Sequence, residues 1–163
     1  MNEQKQKIIT HAGMWLAAFV GSVYGLIFVI IGYLINWDHG RALEGPFWKV
    51  LLAGFFSIMI GAYFGELIVR KRAQKRLAGQ LQILTITARL FGVVLLGNIV
   101  AFIVGWEVGY IFGKILGTIQ ELSWGEILTI IPLNSFIHSI PISLVAGIFY
   151  SVFVFTYLKV GNK

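Results

Sequence analysis

The chain has 163 residues, 58% hydrophobic and only 12% charged, with a mean hydropathy of +0.83. A water-soluble domain carries roughly 25% charged residues, so a soluble globular domain is excluded and the chain reads as an integral membrane protein. The length suits one bundle of a few spans with no extra soluble domain, and the absence of cysteine removes disulfides, thiolate metal sites and a cysteine nucleophile.

Residues 1–11 are polar and basic, and residues 12–37 then carry no charged side chain over 26 positions. A helix rising about 1.5 Å per residue over that length exceeds the ~30 Å hydrocarbon core and crosses it with tilt. The run is too long for the apolar core of a cleavable signal peptide, and no small-residue cleavage site follows it. A retained first span at about 12–36 is expected, carrying Gly21 and Gly25 as a GxxxG pair, with Gly32 one heptad further on.

A short polar loop at 36–46 ends in Pro46, which suits the first turn of a helix because its missing N–H is not needed there. The second span covers about 47–69, with Gly54, Gly61 and Gly65 near one face and Glu66 just before its basic end. Residues 70–76 then hold five of the thirteen lysines and arginines.

The third span is expected at about 83–113, and its last part is the most distinctive stretch of the chain. Gly105, Gly109, Gly113 and Gly117 stand four residues apart, which on a helix paves one face without side chains. In water each interior glycine would cost about 1 kcal/mol relative to alanine. In a bilayer the smooth face lets another helix approach closely, and close approach is what holds membrane helices together. Ser123 to Glu126 has the form of a capping box, so a helix starts there, and Pro132 is expected to end it after about two turns. That leaves a short outer helix at about 124–131 and a last span at about 135–158, kinked by Pro141. The expected fold is therefore an all-α membrane protein. Residues 1–163 form a single transmembrane domain, a four-transmembrane-helix bundle with a short extra helix on the outer side before the last span.

The net charge of +6 belongs to residues beside spans, where it sets topology and meets anionic lipid rather than nucleic acid. With the N-terminus inside, ten basic residues (Lys5, Lys7, Arg70, Lys71, Arg72, Lys75, Arg76, Arg89, Lys159, Lys163) lie inside and three (Arg41, Lys49, Lys114) outside. This bias places both termini in the cytoplasm. Trp37, Trp48, Trp106 and Trp124 then fall near the outer interface and Trp15 near the inner one. A bacterial inner membrane is the preferred location.

Polar groups within spans are costly and mark candidate sites. Counting up from Arg89 and Lys159 puts Glu107 roughly 27 Å and His138 roughly 31 Å along their helices. The two are expected to meet near the outer edge, with Lys114, Asn134, Ser135 and Ser139 around them. The choice there lies between a polar vestibule for an ion, proton or small solute and plain interfacial packing, which is favoured. Low in the bundle, His11, Glu66, Arg70 and Arg89 suggest an inner clasp, with Glu66 pairing to Arg70 along its helix and to Arg89 across helices. Asn98, near the middle of the third span, is expected to hydrogen-bond a neighbouring helix.

Asp38, His39, Glu107 and His138 have no metal-ligand spacing, and no metal or other cofactor is expected. No GxSxG, HExxH, paired intramembrane aspartates or nucleotide motif occurs, so the chain is not read as an enzyme. The glycine faces are read as helix-packing interfaces, at least one of them between chains. The expected function is that of a non-enzymatic polytopic subunit of a membrane complex, or alternatively a small transporter or channel component using the Glu107 and His138 region. Partners are other membrane subunits or further copies of the chain, together with anionic lipid near the 70–76 basic loop.

Overall fold

In a computed structural model of the chain, residues 2–38, 47–77, 82–119 and 122–161 are described, with side chains for all of these except 23–38 and 47. The described residues form four helices and no strand: α1 (Glu3–Asp38), α2 (Phe47–Leu77), α3 (Ile83–Ile115) and α4 (Trp124–Val160). Among the described residues α2, α3 and α4 are long and apolar enough to cross a membrane. The chain is thus a helical bundle with the makings of an integral membrane protein. The expected first span falls largely on residues whose side chains are not described, as do Gly25, Gly32, Trp37 and Asp38. His39, Arg41 and Pro46 lie outside the described residues.

Successive helices run antiparallel. At one end, Gln6 Nε2 donates to Leu77 O at 3.3 Å and Lys5 Nζ to Gly161 O at 2.6 Å, so the start of α1 and the ends of α2 and α4 gather there. At the opposite end, Lys49 Nζ donates to Leu116 O at 3.1 Å, joining the start of α2 to the end of α3. Helices α1 and α3 each touch the other three, whereas α2 and α4 do not touch one another. The cross-section is a rhombus with α1 and α3 on its short diagonal. The main apolar cluster lies toward the end that holds the termini and includes Ile9, Val69, Leu77, Leu90, Val94, Tyr150 and Val154.

Helix α4 corrects the expected short outer helix. It runs unbroken for 37 residues through Pro132 and Pro141. Proline removes one main-chain donor and usually ends or kinks a helix in water. In apolar surroundings nearby hydroxyls and packed neighbours make the loss tolerable. Thr129, Ser135 and Ser139 each donate to a carbonyl of the preceding turn (Gly125, Ile131 and Phe136), not to the Leu128 and Ile137 carbonyls that the two prolines leave without an N–H, so packing within the bundle is what holds α4 through them. The helix start is as expected, because both halves of the capping box form: Glu126 N–H donates to Ser123 Oγ at 3.2 Å and Ser123 N–H to Glu126 Oε2 at 2.8 Å.

Candidate functional site

The glycines of α2 meet the small residues of α3 along one seam. A Cβ added at Gly61 would lie 2.5 Å from Ala101 O and 2.8 Å from the Gly105 Cα, and one at Gly65 would lie 2.6 Å from the Ala101 Cβ and 2.9 Å from Gly97 O. Gly105 in turn faces Ser57, whose Oγ donates to Gly105 O. At Gly61 and Gly105 the two backbones therefore meet with only small side chains such as Ala101 and Ser57 beside them, which is the close approach that small residues permit in membranes. Gly21 on α1 is also buried, and a Cβ there would stand in ordinary contact with Ala62 and Ala101.

The small residues of α3 that meet α2 lie earlier along the helix than the row read in the sequence. They begin at Gly97 and Ala101 and reach Gly105, and these three are buried, as is Gly109. The nearest described neighbour of Gly113 is the chain's own turn, with an added Cβ 2.7 Å from Ile119 Cδ1. Gly117 is off the helix altogether. It has φ +71°, its N–H donates to Lys114 O at 3.2 Å, and Thr118 N–H donates to Gly113 O at 2.8 Å. This is a Schellman motif, in which glycine takes the left-handed position that closes a helix. The last glycine of the row is a stop signal rather than a packing surface. Gly97 and Ala101 were missed because a search for glycine alone does not count alanine as part of a smooth face.

The polar groups expected near the outer edge are not brought together. Gly147 on α4 sits against the Phe91 ring on α3, so α4 residues lie level with α3 residues whose numbers sum with theirs to about 238. His138 is then level with about residue 100 of α3, and Glu107 with about residue 131 of α4. Seven residues of helix separate them in height, roughly 10 Å. His138 and Asn134 are exposed on α4, while both Glu107 carboxylate oxygens are buried and accept no hydrogen bond among the described residues. The error lay in the anchors: Arg89 and Lys159 were assumed to share a level, yet the same register puts Arg89 opposite residue 149. Lys114 occupies the last turn of α3, where a cation complements the helix dipole.

Asn98 departs from expectation in another way. It is fully buried, and neither its Oδ1 nor its Nδ2 has a hydrogen-bond partner among the described residues.

The inner clasp does not form. No ion pair or hydrogen bond joins Glu66, Arg70 and Arg89 among the described residues, and both arginines are exposed. Since Gly65 packs against Gly97 and Ala101, Glu66 lies level with about Asn98. Arg89 is nine residues away along α3, roughly 14 Å. Arg70 instead shares a cleft of about 560 Å³ between α1 and α2 with His11, Lys7, Glu3, Gln6, Gln74, Thr10, Met14 and Leu77.

Helix α4 carries a second smooth strip that sequence reading touched only in part. Ser135, Ser139, Ser143 and Gly147 are all buried at spacings of four, flanked by Ile127 and Ile131. Ala146, Tyr150, Val154 and Leu158 continue the buried side of α4, and the opposite side, with Leu133, Ile137, Leu144 and Ile148, points away from the bundle.

Comparison with known protein families, with curated proteins and with solved structures finds no match for this chain.

Proposed function

We propose that the chain is a non-enzymatic polytopic membrane protein that acts as a subunit of a membrane complex. The observation that supports this most is on α4. Asn134 and His138 stand one turn apart on its outward side, among the exposed Leu133, Phe136, Ile137 and Ile140. By the register above, His138 lies near the mid-height of α3. Polar side chains presented to hydrocarbon are costly, and a transmembrane helix of another chain that hydrogen-bonds them removes that cost. Gly61, Gly65, Gly97 and Gly105 of α2 and α3, by contrast, are already occupied inside the chain. The assembly surface is therefore the outward face of α4 rather than a glycine row.

Replacing both groups by leucine (Asn134→Leu with His138→Leu) is expected to leave a folded chain in mild detergent that no longer co-purifies with the partners of the wild type. Unchanged partners would reject the reading. A second reading, a small transporter or channel component, draws on the buried Glu107 carboxylate and Asn98 amide, neither of which has a hydrogen-bond partner among the described residues. Glu107→Gln would then abolish solute or proton flux in proteoliposomes while partners are retained.

The membrane is proposed to be a bacterial inner membrane with both termini cytoplasmic, on the ten-to-three distribution of basic residues. The exposed Gln74 tests the orientation. A Gln74→Cys variant is expected to react with an impermeant maleimide only after permeabilisation, and Glu121→Cys in intact cells. Labelling of Gln74→Cys from outside would reverse the assignment.

A further inference from the structure

We propose that the cleft between α1 and α2 binds the phosphate of an anionic phospholipid, with the acyl chains lying against the adjoining outer surface of the same two helices. The cleft is lined by Lys7, His11 and Thr10 from α1 and by Arg70 and Gln74 from α2, over an apolar floor of Met14 and Leu77. Five of these side chains carry hydrogen-bond donors suited to phosphate oxygens, and an arginine fork and a lysine give the charge-assisted kind. Gln6 Nε2 bonds to Leu77 O and ties the two walls together, so the cleft is present before any ligand arrives. One carboxylate, Glu3, stands at its rim, paired with Lys7 at 3.1 Å with both side chains largely exposed. An ion pair of that kind is weak and exchanges readily for a better anion.

The location selects a lipid over a soluble phosphate. One turn along α1 from His11, Trp15 points away from the bundle at 75% exposure, and two turns along α2 from Arg70, Tyr63 is 57% exposed. Tryptophan and tyrosine facing outward from a spanning helix sit at headgroup level. The cleft thus opens where phospholipid phosphates lie, and the surface beside it is apolar enough for acyl chains. Lys71, Arg72, Lys75 and Arg76 add a basic field that concentrates anionic lipid at this end of the bundle. The inference does not depend on the subunit reading or on which leaflet faces the cleft.

The test is a thermal-shift titration of the full chain in neutral detergent. Dioleoylphosphatidylglycerol is the probe, dioleoylphosphatidylcholine the zwitterionic control, and glycerol 1-phosphate and inorganic phosphate the chain-free controls. Only phosphatidylglycerol is expected to raise the melting temperature. Arg70→Gln with Lys7→Gln should weaken its apparent affinity about tenfold, whereas Arg72→Gln with Lys75→Gln, which removes the same charge outside the lining, should weaken it about twofold or less. Gln74→Trp, which fills the cleft at an exposed position without changing charge, should also abolish the shift. Equal losses in the two charge pairs, or an unaffected Gln74→Trp variant, would reduce the effect to a diffuse basic field and overturn the site. A shift of the same size with glycerol 1-phosphate would overturn the lipid assignment.

Discussion

Gly61→Ala is expected to be the most damaging single methyl group that can be added to this chain. The new Cβ would stand 2.5 Å from Ala101 O and 2.8 Å from the Gly105 Cα, both backbone atoms of α3. A clash with the tip of a flexible side chain is relieved by a rotamer change, but a clash with backbone moves a whole helix. The seam also includes the bond from Ser57 to Gly105 O and the contacts of Gly65 with Gly97 and Ala101, which loosen together if α2 and α3 part. Overpacking a tight interior typically costs 1–3 kcal/mol, and with no compliant neighbour the loss here should reach about 3 kcal/mol. Gly92 is the matched control: it is also a glycine of α3, yet its added Cβ would meet nothing within 4 Å. Gly92→Ala should be neutral or slightly stabilising, because alanine is the better helix former by about 1 kcal/mol. Thermal unfolding of both variants in one detergent makes the comparison. Equal effects would mean that α2 and α3 do not meet through Gly61.

Asn98→Leu is expected to stabilise the bundle. The wild-type amide is fully buried with neither polar atom hydrogen-bonded among the described residues. A buried polar group left without a partner costs about 1–3 kcal/mol, and an apolar side chain of similar volume removes that cost. The gain should therefore fall within the same 1–3 kcal/mol, with Asn98→Asp as the opposite case because it puts an unpaired charge in the same place. A loss of stability in Asn98→Leu would show that the amide has a partner after all, a bound water or solute, and would favour the transport reading over the subunit reading. The variant thus reports on function as well as on packing, since natural chains keep such groups where something other than stability is selected.

The two variants also mark what could be read from the order of residues. The apolar runs of the second and third helices and the Ser123–Glu126 cap are local properties, and each appeared where the sequence placed it. Most of what went astray was a relation between helices. Glu107 and His138 were set at one height on the assumption that Arg89 and Lys159 lie in one plane, and the contact of Gly147 with Phe91 moves that plane by about ten residues. The clasp of Glu66 with Arg89 failed for the same reason, with the offset set by Gly65 against Gly97. Spacing along one helix says which residues share a face. It says nothing of how far one helix slides past the next, which depends on where the small residues of both allow contact. The remaining errors concern single residues whose meaning depends on context. Gly117 continues the spacing of a helix face but closes the helix, and Pro132 breaks helices in water but not within α4.

The hydrogen bond from the Tyr150 hydroxyl to Ile9 O, at 2.7 Å, joins positions 141 residues apart. The Tyr150 ring also fills the notch at Gly13, where an added Cβ would lie 3.1 Å from its hydroxyl oxygen. Ribosomes release α1, α2 and α3 before any of α4, so for that interval the notch is open and the early helices wait as an incomplete assembly. Closure at this notch is therefore a long-range step, made by the last helix on the first. A chain that ended before residue 150 would lack both the bond to Ile9 O and the ring that fills the notch at Gly13.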